Sequence, residues 1–187
     1  VTLWDDPRDP HCIPVPIDYE GHLAQRIPLI TDGIASDVAT DTATASRLTP
    51  PAASNGHATS PWETEEPVPE HIIMPGGTGT CDELMHNLPR GLRISRLHYT
   101  HIPDAKQVIA TGTTRDGTFL VENGAIVAAV KNLRFTQPVL DLLAGIEEVG
   151  QRKTCRDWWA ANGMESTYYY VPALRVARCV FTGVTTF

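Results

Sequence analysis

The sequence lacks several features that would assign it to a common class of protein. It contains no run of about 18 apolar residues, so no segment could span a membrane as a helix. Its N-terminus shows no basic region followed by an apolar stretch, so no signal peptide is recognisable. The 187 residues include only four cysteines, none in a C-x-x-C pair, which excludes a disulfide scaffold. We therefore expect reduced thiols in a cytoplasmic protein that does not bind membranes.

Positive charge is also scarce. The formal net charge is −7, and the fifteen lysine and arginine residues are scattered along the chain. Their densest cluster consists of Arg90, Arg93 and Arg96. Domains that bind duplex nucleic acid normally present a basic stripe along one face. Direct binding to nucleic acid is therefore not expected.

A third absence concerns catalysis. None of the seven histidines belongs to a His-Glu-x-x-His or His-Glu-x-x-x-His motif. Metal-assisted hydrolysis needs two imidazoles on one helical face, a third ligand and an open position for water. We therefore expect that this chain alone holds no cofactor and does not carry out metal-assisted hydrolysis.

Among the features that are present, the clearest structural signal lies around Asn123-Gly124. Apolar Phe119 and Val121 precede this pair, and apolar Ile126 follows it. Asn-Gly is a preferred pair for a two-residue type I′ turn, in which both central residues have positive φ. The pattern predicts two antiparallel strands joined by a tight hairpin.

The rest of the chain predicts an α+β domain, mainly β, with a barrel-like or sandwich-like antiparallel core of about eight to ten short strands. Residues 1–187 are treated as a single domain, in which residues 49–70, rich in Pro, Ser and Glu, form a flexible loop. An edge strand is predicted at residues 13–17, and residues 151–167 are predicted to be irregular.

Two or three helices are predicted. The first spans residues 38–48 and is capped by Ser36 or Asp37, and the second spans residues 80–91 and is opened by the Thr80-x-x-Glu83 capping box. The third begins at Pro138 and ends at Gly150, and its buried residues are Val139, Leu142, Leu143 and Ile146.

Three segments resemble one known family: Gly-x-x-Arg-Asp-Gly at residues 112–117, Leu-Val-Glu-Asn-Gly at residues 120–124, and Val-Lys-Asn-Leu-Arg-Phe at residues 130–135. They are similar to the C-terminal domain of the TldD/PmbA family, bacterial and archaeal peptidase-related proteins that are often labelled modulators of DNA gyrase. Pro-Ala-Leu-Arg-Val at residues 172–176 and Phe-Thr-Gly at residues 181–183 resemble the PmbA-type members, which lack the metal site and act as partners of TldD-type subunits.

The resemblance implies a homodimer, or a heterodimer with a TldD-type subunit, that degrades or matures unfolded peptides held in extended form. Pairing with a strand edge would let such a protein bind peptides of many sequences. The resemblance also implies that any zinc is held by the full-length protein or its partner, through a His-Glu-x-x-x-His helix upstream of the matched region. The chain opens at Val1 within a predicted strand, which suggests a fragment, a processed form or an excised domain. With the resemblance, we expect that the N-terminal domain of its parent is absent.

Two candidate sites follow from the resemblance. Asn55, Gly56 and His57 match an Asn-Gly that family members carry in a mobile segment near the peptide-binding cleft, so this segment is either a substrate-facing loop or a flexible surface connection. Cys155 lies nearest to the position of the metal-binding cysteine in the peptidase members.

The role of Cys155 separates two hypotheses for the chain. In the first, the chain is the non-catalytic portion of the complex, which binds substrate or supports assembly. In the second, the chain is part of an active zinc metallopeptidase and contributes Cys155 as the third metal ligand. The residues after Cys155, Arg-Asp-Trp-Trp, differ from the glycine-rich context of the family, and a cysteine is often simply buried.

Overall fold

The computed structural model describes residues 1–60, 66–156 and 168–185, and within them the chain is mainly β. Two short helices, α1 (Thr42–Arg47) and α2 (Val139–Ala144), accompany the strands, and a 3₁₀ turn spans Glu83–Met85. The strands form two sheets, neither of which closes into a barrel within these residues, and the predicted α+β, mainly-β class is confirmed. The strands are β1 (Leu3–Asp5), β2 (Ile27–Thr31), β3 (Ile34–Ala35), β4 (His71–Ile73), β5 (Arg90–Asp104), β6 (Ile109–Glu122), β7 (Ala125–Ala129), β8 (Leu133–Pro138), β9 (Ile146–Arg156), β10 (Tyr168–Val176) and β11 (Phe181–Val184).

The chain divides into two compact units. The first contains Val1–Gly76 and Arg152–Pro172, and the second contains Gly77–Gln151 and Ala173–Phe187. The boundaries fall at Gly76 and inside strands β9 and β10, so these two strands contribute residues to both units. Within the described residues, no helix is both long and apolar enough to cross a bilayer.

The first sheet has the strand order β3-β2-β1-β4-β10-β9. β1 pairs antiparallel with β2 and with β4, whereas β4 and β10 run parallel, with His71 opposite Tyr168. A tight turn at Asp32 and Gly33 joins β2 to β3, and these two residues have φ values of 52° and 84°. Because β1 and β4 lie inside the sheet, Asp5 and the side chain of His71 are almost completely buried.

The second sheet has the order β11-β8-β6-β5, and β7 also pairs with β6. The long strand β6 is central: it pairs along β5 from Glu122 to Ile109 and meets β8 and β7 on its other side. Val121 and Phe135 are buried here, together with hydroxyl groups that bond to each other, such as Thr118 Oγ1 to Thr114 Oγ1 at 2.6 Å. A buried hydroxyl pair costs little when both members are hydrogen-bonded.

The hairpin predicted at Asn123-Gly124 is confirmed. Glu122 of β6 pairs with Ala125 of β7, and the two residues between them have φ values of 49° and 79°. A Cβ on Gly124 would lie 2.6 Å from the backbone oxygen of His86, so both the conformation and the space require glycine.

The predicted helix at residues 80–91 is wrong in length. Its capping box forms, since Thr80 N donates to Glu83 Oε2 at 2.7 Å and Glu83 N donates to Thr80 Oγ1 at 3.2 Å. The turn nevertheless stops at Met85, and strand β5 begins at Arg90. Pro89 explains the stop, because the residue before a proline avoids the helical region and proline itself donates no hydrogen bond.

Three further predictions need correction. The helix from Pro138 ends at Ala144, and residues 146–156 form β9, so Ile146 and Gly150 lie in a strand. The neighbouring strand β10 explains this change, because ladder pairing overrides a weak helical pattern. Residues 13–17 form no strand, and only Ile17 makes an isolated bridge, to Leu23. The irregular segment predicted at residues 151–167 is wrong for residues 151–156, and its remainder lies outside the described residues.

Helix α1 begins later than predicted, with Asp41 rather than Ser36 or Asp37 as its cap. The later start is caused by tertiary hydrogen bonds to Thr40. The backbone N–H of Thr40 donates to Asn55 Oδ1 at 2.8 Å, and its carbonyl accepts from Ser54 Oγ at 3.0 Å. Thr40 is thereby held outside the helix, and the next residue becomes the first that can cap it.

Replacing Asp41 with alanine is expected to lower the free energy of unfolding by about 1 kcal/mol at neutral pH, because the helix loses its N-cap. The hydrogen bond from the Thr44 backbone amide holds the pKa of Asp41 below its ordinary value. The cap therefore stabilises the folded protein at pH values above the ordinary pKa of an aspartate. This contribution is lost as the pH falls through the lower pKa that Asp41 has in the folded protein. Urea unfolding at neutral and acidic pH measures this, and Asp37→Ala, at an exposed position before the helix, is the control.

Candidate functional site

A buried hydrogen-bond network surrounds the predicted segment Asn55, Gly56 and His57. Asp5 is fully buried, and its Oδ2 lies 3.0 Å from Nε2 of His57, whose side chain is 2% exposed. The other carboxylate oxygen, Oδ1, accepts from the backbone N–H of His71 at 2.6 Å. One carboxylate thus connects β1, the loop and β4 within the first unit.

The second nitrogen of the His57 ring is also engaged. Asn55 Oδ1 accepts from Thr40 N at 2.8 Å and Asn55 Nδ2 donates to Val38 O at 2.8 Å, which fixes the orientation of this amide. His57 Nδ1 lies 2.8 Å from that same Oδ1. Each ring nitrogen therefore lies within hydrogen-bonding distance of an oxygen, so the ring is fixed in position at both nitrogens.

Gly56 completes the segment through its backbone. It has φ of +79°, and its N–H donates to Ser54 Oγ at 3.1 Å. An added Cβ would lie 2.5 Å from Leu23 O and 2.7 Å from Ala24 Cα, so a neighbouring backbone passes directly over this position. Both the conformation and the close approach require glycine.

The structure therefore brings the three predicted residues together with a partner that sequence reasoning missed, Asp5. The polar contacts of Asn55 and His57 named above are all made within the first unit. A cavity of about 30 Å³ lies beside Gly56, His57 and His71. The substrate-binding role predicted for Asn55, Gly56 and His57 stays a prediction.

Cys155 lies in β9 and is exposed. Its Sγ is 3.8 Å from the carbonyl oxygen of Lys153, and the preceding Thr154 Oγ1 donates to His11 O at 2.9 Å. The described residues contain no group of three or more His, Cys, Asp or Glu side chains that could hold a metal ion. These residues by themselves therefore do not fit a zinc site, and the ligand role of Cys155 stays a prediction.

The other cysteines are also free thiols. Cys12 is buried, and this burial, with the neighbouring Asp9 carboxylate, raises the pKa of its thiol to about 11. Burial also raises the pKa of the Cys179 thiol. Both sulfurs are protonated at neutral pH, when a thiol is a weak nucleophile and a weak metal ligand.

The second unit contains a groove of about 460 Å³. Most of its lining is apolar, and arginine supplies all of its charged side chains. Two strand segments, residues 90–94 of β5 and residues 173–176 of β10, line it together with the turn that precedes β5. The lining residues are Cys81, Leu84, Met85, Leu88, Arg90, Gly91, Leu92, Arg93, Ile94, Ala173, Leu174, Arg175, Val176, Ala177, Arg178, Cys179 and Phe181.

One wall of this groove, defined as residues 90–94, belongs to the edge of the second sheet. Among the described strands, β5 pairs only with β6, with Arg90 opposite Glu122 and Ile94 opposite Thr118. An edge strand leaves every second backbone N–H and C=O without a ladder partner. The groove can therefore offer backbone hydrogen bonds to an extended ligand. The sequence did not indicate that β5 is the strand that provides them.

Comparison with known proteins gives consistent results. A family model described as the PmbA/TldA metallopeptidase C-terminal domain matches residues 1–183. A search of curated proteins found no match.

Three solved structures share the fold. TldE from Thermococcus kodakarensis is 18% identical with a TM-score of 0.77, over 96% of this chain and 39% of that one. A proposed modulator of a DNA gyrase from Thermotoga maritima is 21% identical with a TM-score of 0.72, and the match covers 96% of this chain and 38% of that one. Another proposed modulator of DNA gyrase, from Bacteroides thetaiotaomicron, is 17% identical with a TM-score of 0.71, and the match covers 98% of this chain and 36% of that one. The chain thus spans less than two fifths of each neighbour, and at these identities the likeness establishes the fold.

Proposed function

Because the chain belongs to the PmbA/TldA metallopeptidase C-terminal domain family, we propose that it is the non-catalytic portion of a peptide-processing complex and binds unfolded peptide in extended form. The proposed complex is cytoplasmic and is a homodimer or a heterodimer with a TldD-type subunit. TldE is among the proteins that share the fold. The net charge of −7 argues against direct contact with DNA as the route to any effect on gyrase.

The observation that carries this proposal is the open strand edge beside the groove. Residues 90–94 line a groove of about 460 Å³ and belong to a strand with one described neighbour. A peptide that adds a strand here gains main-chain hydrogen bonds, which do not depend on its sequence. The apolar lining, which includes Leu84 and Leu88, would receive every second side chain of the peptide.

Backbone methylation of the peptide tests this mode of binding. An unstructured fluorescent peptide is made in two forms, N-methylated at all odd or at all even positions, and binding is followed by anisotropy. Strand addition uses only one of the two sets of N–H groups. One form should therefore bind about tenfold or more weakly, because two or three hydrogen bonds are lost, while the other should retain most of its affinity.

Hydrogen exchange locates the bound peptide. Amides within residues 90–94 should gain protection when the unmethylated peptide is added, whereas the turn at residues 105–108, which joins β5 to β6, should exchange unchanged. Equal loss of affinity for both methylated forms, or protection confined to other strands, would contradict strand addition at β5.

The alternative proposal is that Cys155 supplies the third zinc ligand of an active metallopeptidase. The observation in its favour is the exposure of this thiol on β9. Because the described residues hold no further group of metal-binding side chains around it, two ligands and a general base would have to come from outside them.

A further inference from the structure

The charged side chains that line the groove in the second unit are opposite in sign to the net charge of the chain. The formal net charge of the chain is −7, yet the lining contains four arginines and no aspartate or glutamate. A concave surface whose charged lining is all cationic can attract an anionic ligand where the acidic partners of the arginines are readily displaced.

Three of these arginines are available to a ligand. Arg90 Nε lies 3.7 Å from Glu122 Oε1, and Arg93 Nη1 lies 3.6 Å from Asp82 Oδ1. Both distances exceed the roughly 2.7–2.9 Å of a charge-assisted hydrogen bond. The acidic partners are 43% and 78% exposed, so either pair can open at little cost. Arg178 is exposed and has no ion pair with any described residue.

The fourth arginine is held by the fold. Arg175 Nη1 lies 2.6 Å from Glu148 Oε2 and donates to Leu84 O at 3.3 Å, while its Nε donates to Glu147 Oε2 at 3.3 Å. Its charge is neutralised by these two carboxylates. Arg175 therefore shapes the groove, and selection of a ligand falls to the other three arginines.

We infer that the groove selects extended peptides in which acidic side chains alternate with apolar ones. In a strand, successive side chains point to opposite faces, so such a peptide presents one apolar face and one acidic face. The groove supplies apolar surface at Leu84, Leu88 and Phe181 and positive charge at Arg90, Arg93 and Arg178, so it can receive both kinds of side chain. This inference rests on the proposed function and adds a substrate class to it.

Two peptides of equal length test the inference with the intact protein. One repeats Val-Glu and the other repeats Val-Lys, and anisotropy measures their affinities. The overall charge of −7 would favour the Lys peptide, so a preference for the Glu peptide must come from the local arginines. We expect the Glu peptide to bind about tenfold more tightly at low salt, and this preference to fall severalfold at about 0.5 M salt.

Reversing the charge of Arg178 tests whether the arginines of the groove cause the preference for the Glu peptide. Arg178→Glu should weaken binding of the Glu peptide by about fivefold and leave the Lys peptide unchanged or tighter. Lys106→Glu is the matched control, because it makes the same change in charge at an exposed turn residue that does not line the groove. This control should leave both affinities within about twofold of the unmodified protein.

The outcomes separate the inference from the proposed function. Equal affinity for the two peptides, or equal effects of Arg178→Glu and Lys106→Glu, would overturn the inference while peptide binding stands. If neither peptide binds, the inference is overturned together with the proposed function. If Arg178→Glu changes self-association and not peptide affinity, the groove is occupied by a second copy and the inference is wrong.

Discussion

Replacement of Asp5 with alanine is expected to lower the free energy of unfolding by about 2–6 kcal/mol, because two buried polar groups each lose a hydrogen-bond partner at about 1–3 kcal/mol. The substitution leaves the His57 ring with no acceptor at Nε2, and it removes the acceptor of the His71 amide. Both groups belong to buried residues, since His57 and His71 are 5% and 2% exposed. Urea unfolding followed by circular dichroism measures the loss.

Asp5→Asn separates the charge of this residue from its shape. The asparagine oxygen can still accept from His71 N, and its amide can donate to Nε2 of a neutral His57 whose Nδ1 donates to Asn55. We expect a smaller loss, about 1–2 kcal/mol, because every polar group keeps a partner. Asp6→Ala, in which the neighbouring carboxylate accepts an exposed bond from Arg8 N, should cost less than about 1 kcal/mol.

A double-mutant cycle tests the pairing itself. If Asp5 and His57 stabilise the fold as a pair, Asp5→Ala combined with His57→Ala should cost clearly less than the sum of the two single changes. Additive losses would show that each residue acts alone, and would contradict a stabilising hydrogen bond between Asp5 and His57.

The parts of the fold that were predictable are those determined by neighbouring residues. The Asn123-Gly124 turn follows from the positive φ that both positions need, and β7 follows from the alternation around it. The family resemblance rested on the same segment, and the match over residues 1–183 confirms it. The start of α2 after Pro138 was also local.

One of the failures has a local physical cause and the other a distant one. Thr80 and Glu83 form their capping box, yet the helix stops because Pro89 follows and β5 must begin. Residues 146–156 join a sheet because β10 offers them a partner. Strand β10 lies outside a short window around residues 146–156, so the periodicity of that window could not have detected this pairing.

The candidate sites show the same division. Asn55, Gly56 and His57 stood out as a motif, but the Asp5–His57 contact joins residues 52 positions apart, and no local pattern reports it. Arg90 and Arg93 stood out as a basic cluster, and only the fold places them in one groove with Arg178. The groove depends on strand order, which single-sequence reasoning did not supply.

Gly56→Ala is expected to destabilise the protein by about 3 kcal/mol, a large effect for the addition of one methyl group. Two costs combine. The φ of +79° is unfavourable for any residue with a Cβ, at about 1–2 kcal/mol. The new methyl group would also lie 2.5 Å from Leu23 O and 2.7 Å from Ala24 Cα, and both contacts are with backbone, so relief requires the chain to move at a further cost of about 1–3 kcal/mol.

Gly21 and Gly33 allow the two costs to be separated. They have φ of +83° and +84°, nearly that of Gly56, but nothing lies within 4 Å of an added Cβ. Gly21→Ala and Gly33→Ala should therefore show the conformational cost alone, about 1–2 kcal/mol. The excess for Gly56→Ala measures the close approach of residues 23–24 to the loop that carries His57. An equal loss at all three glycines would show that the loop yields freely, and that this approach does not hold it in place.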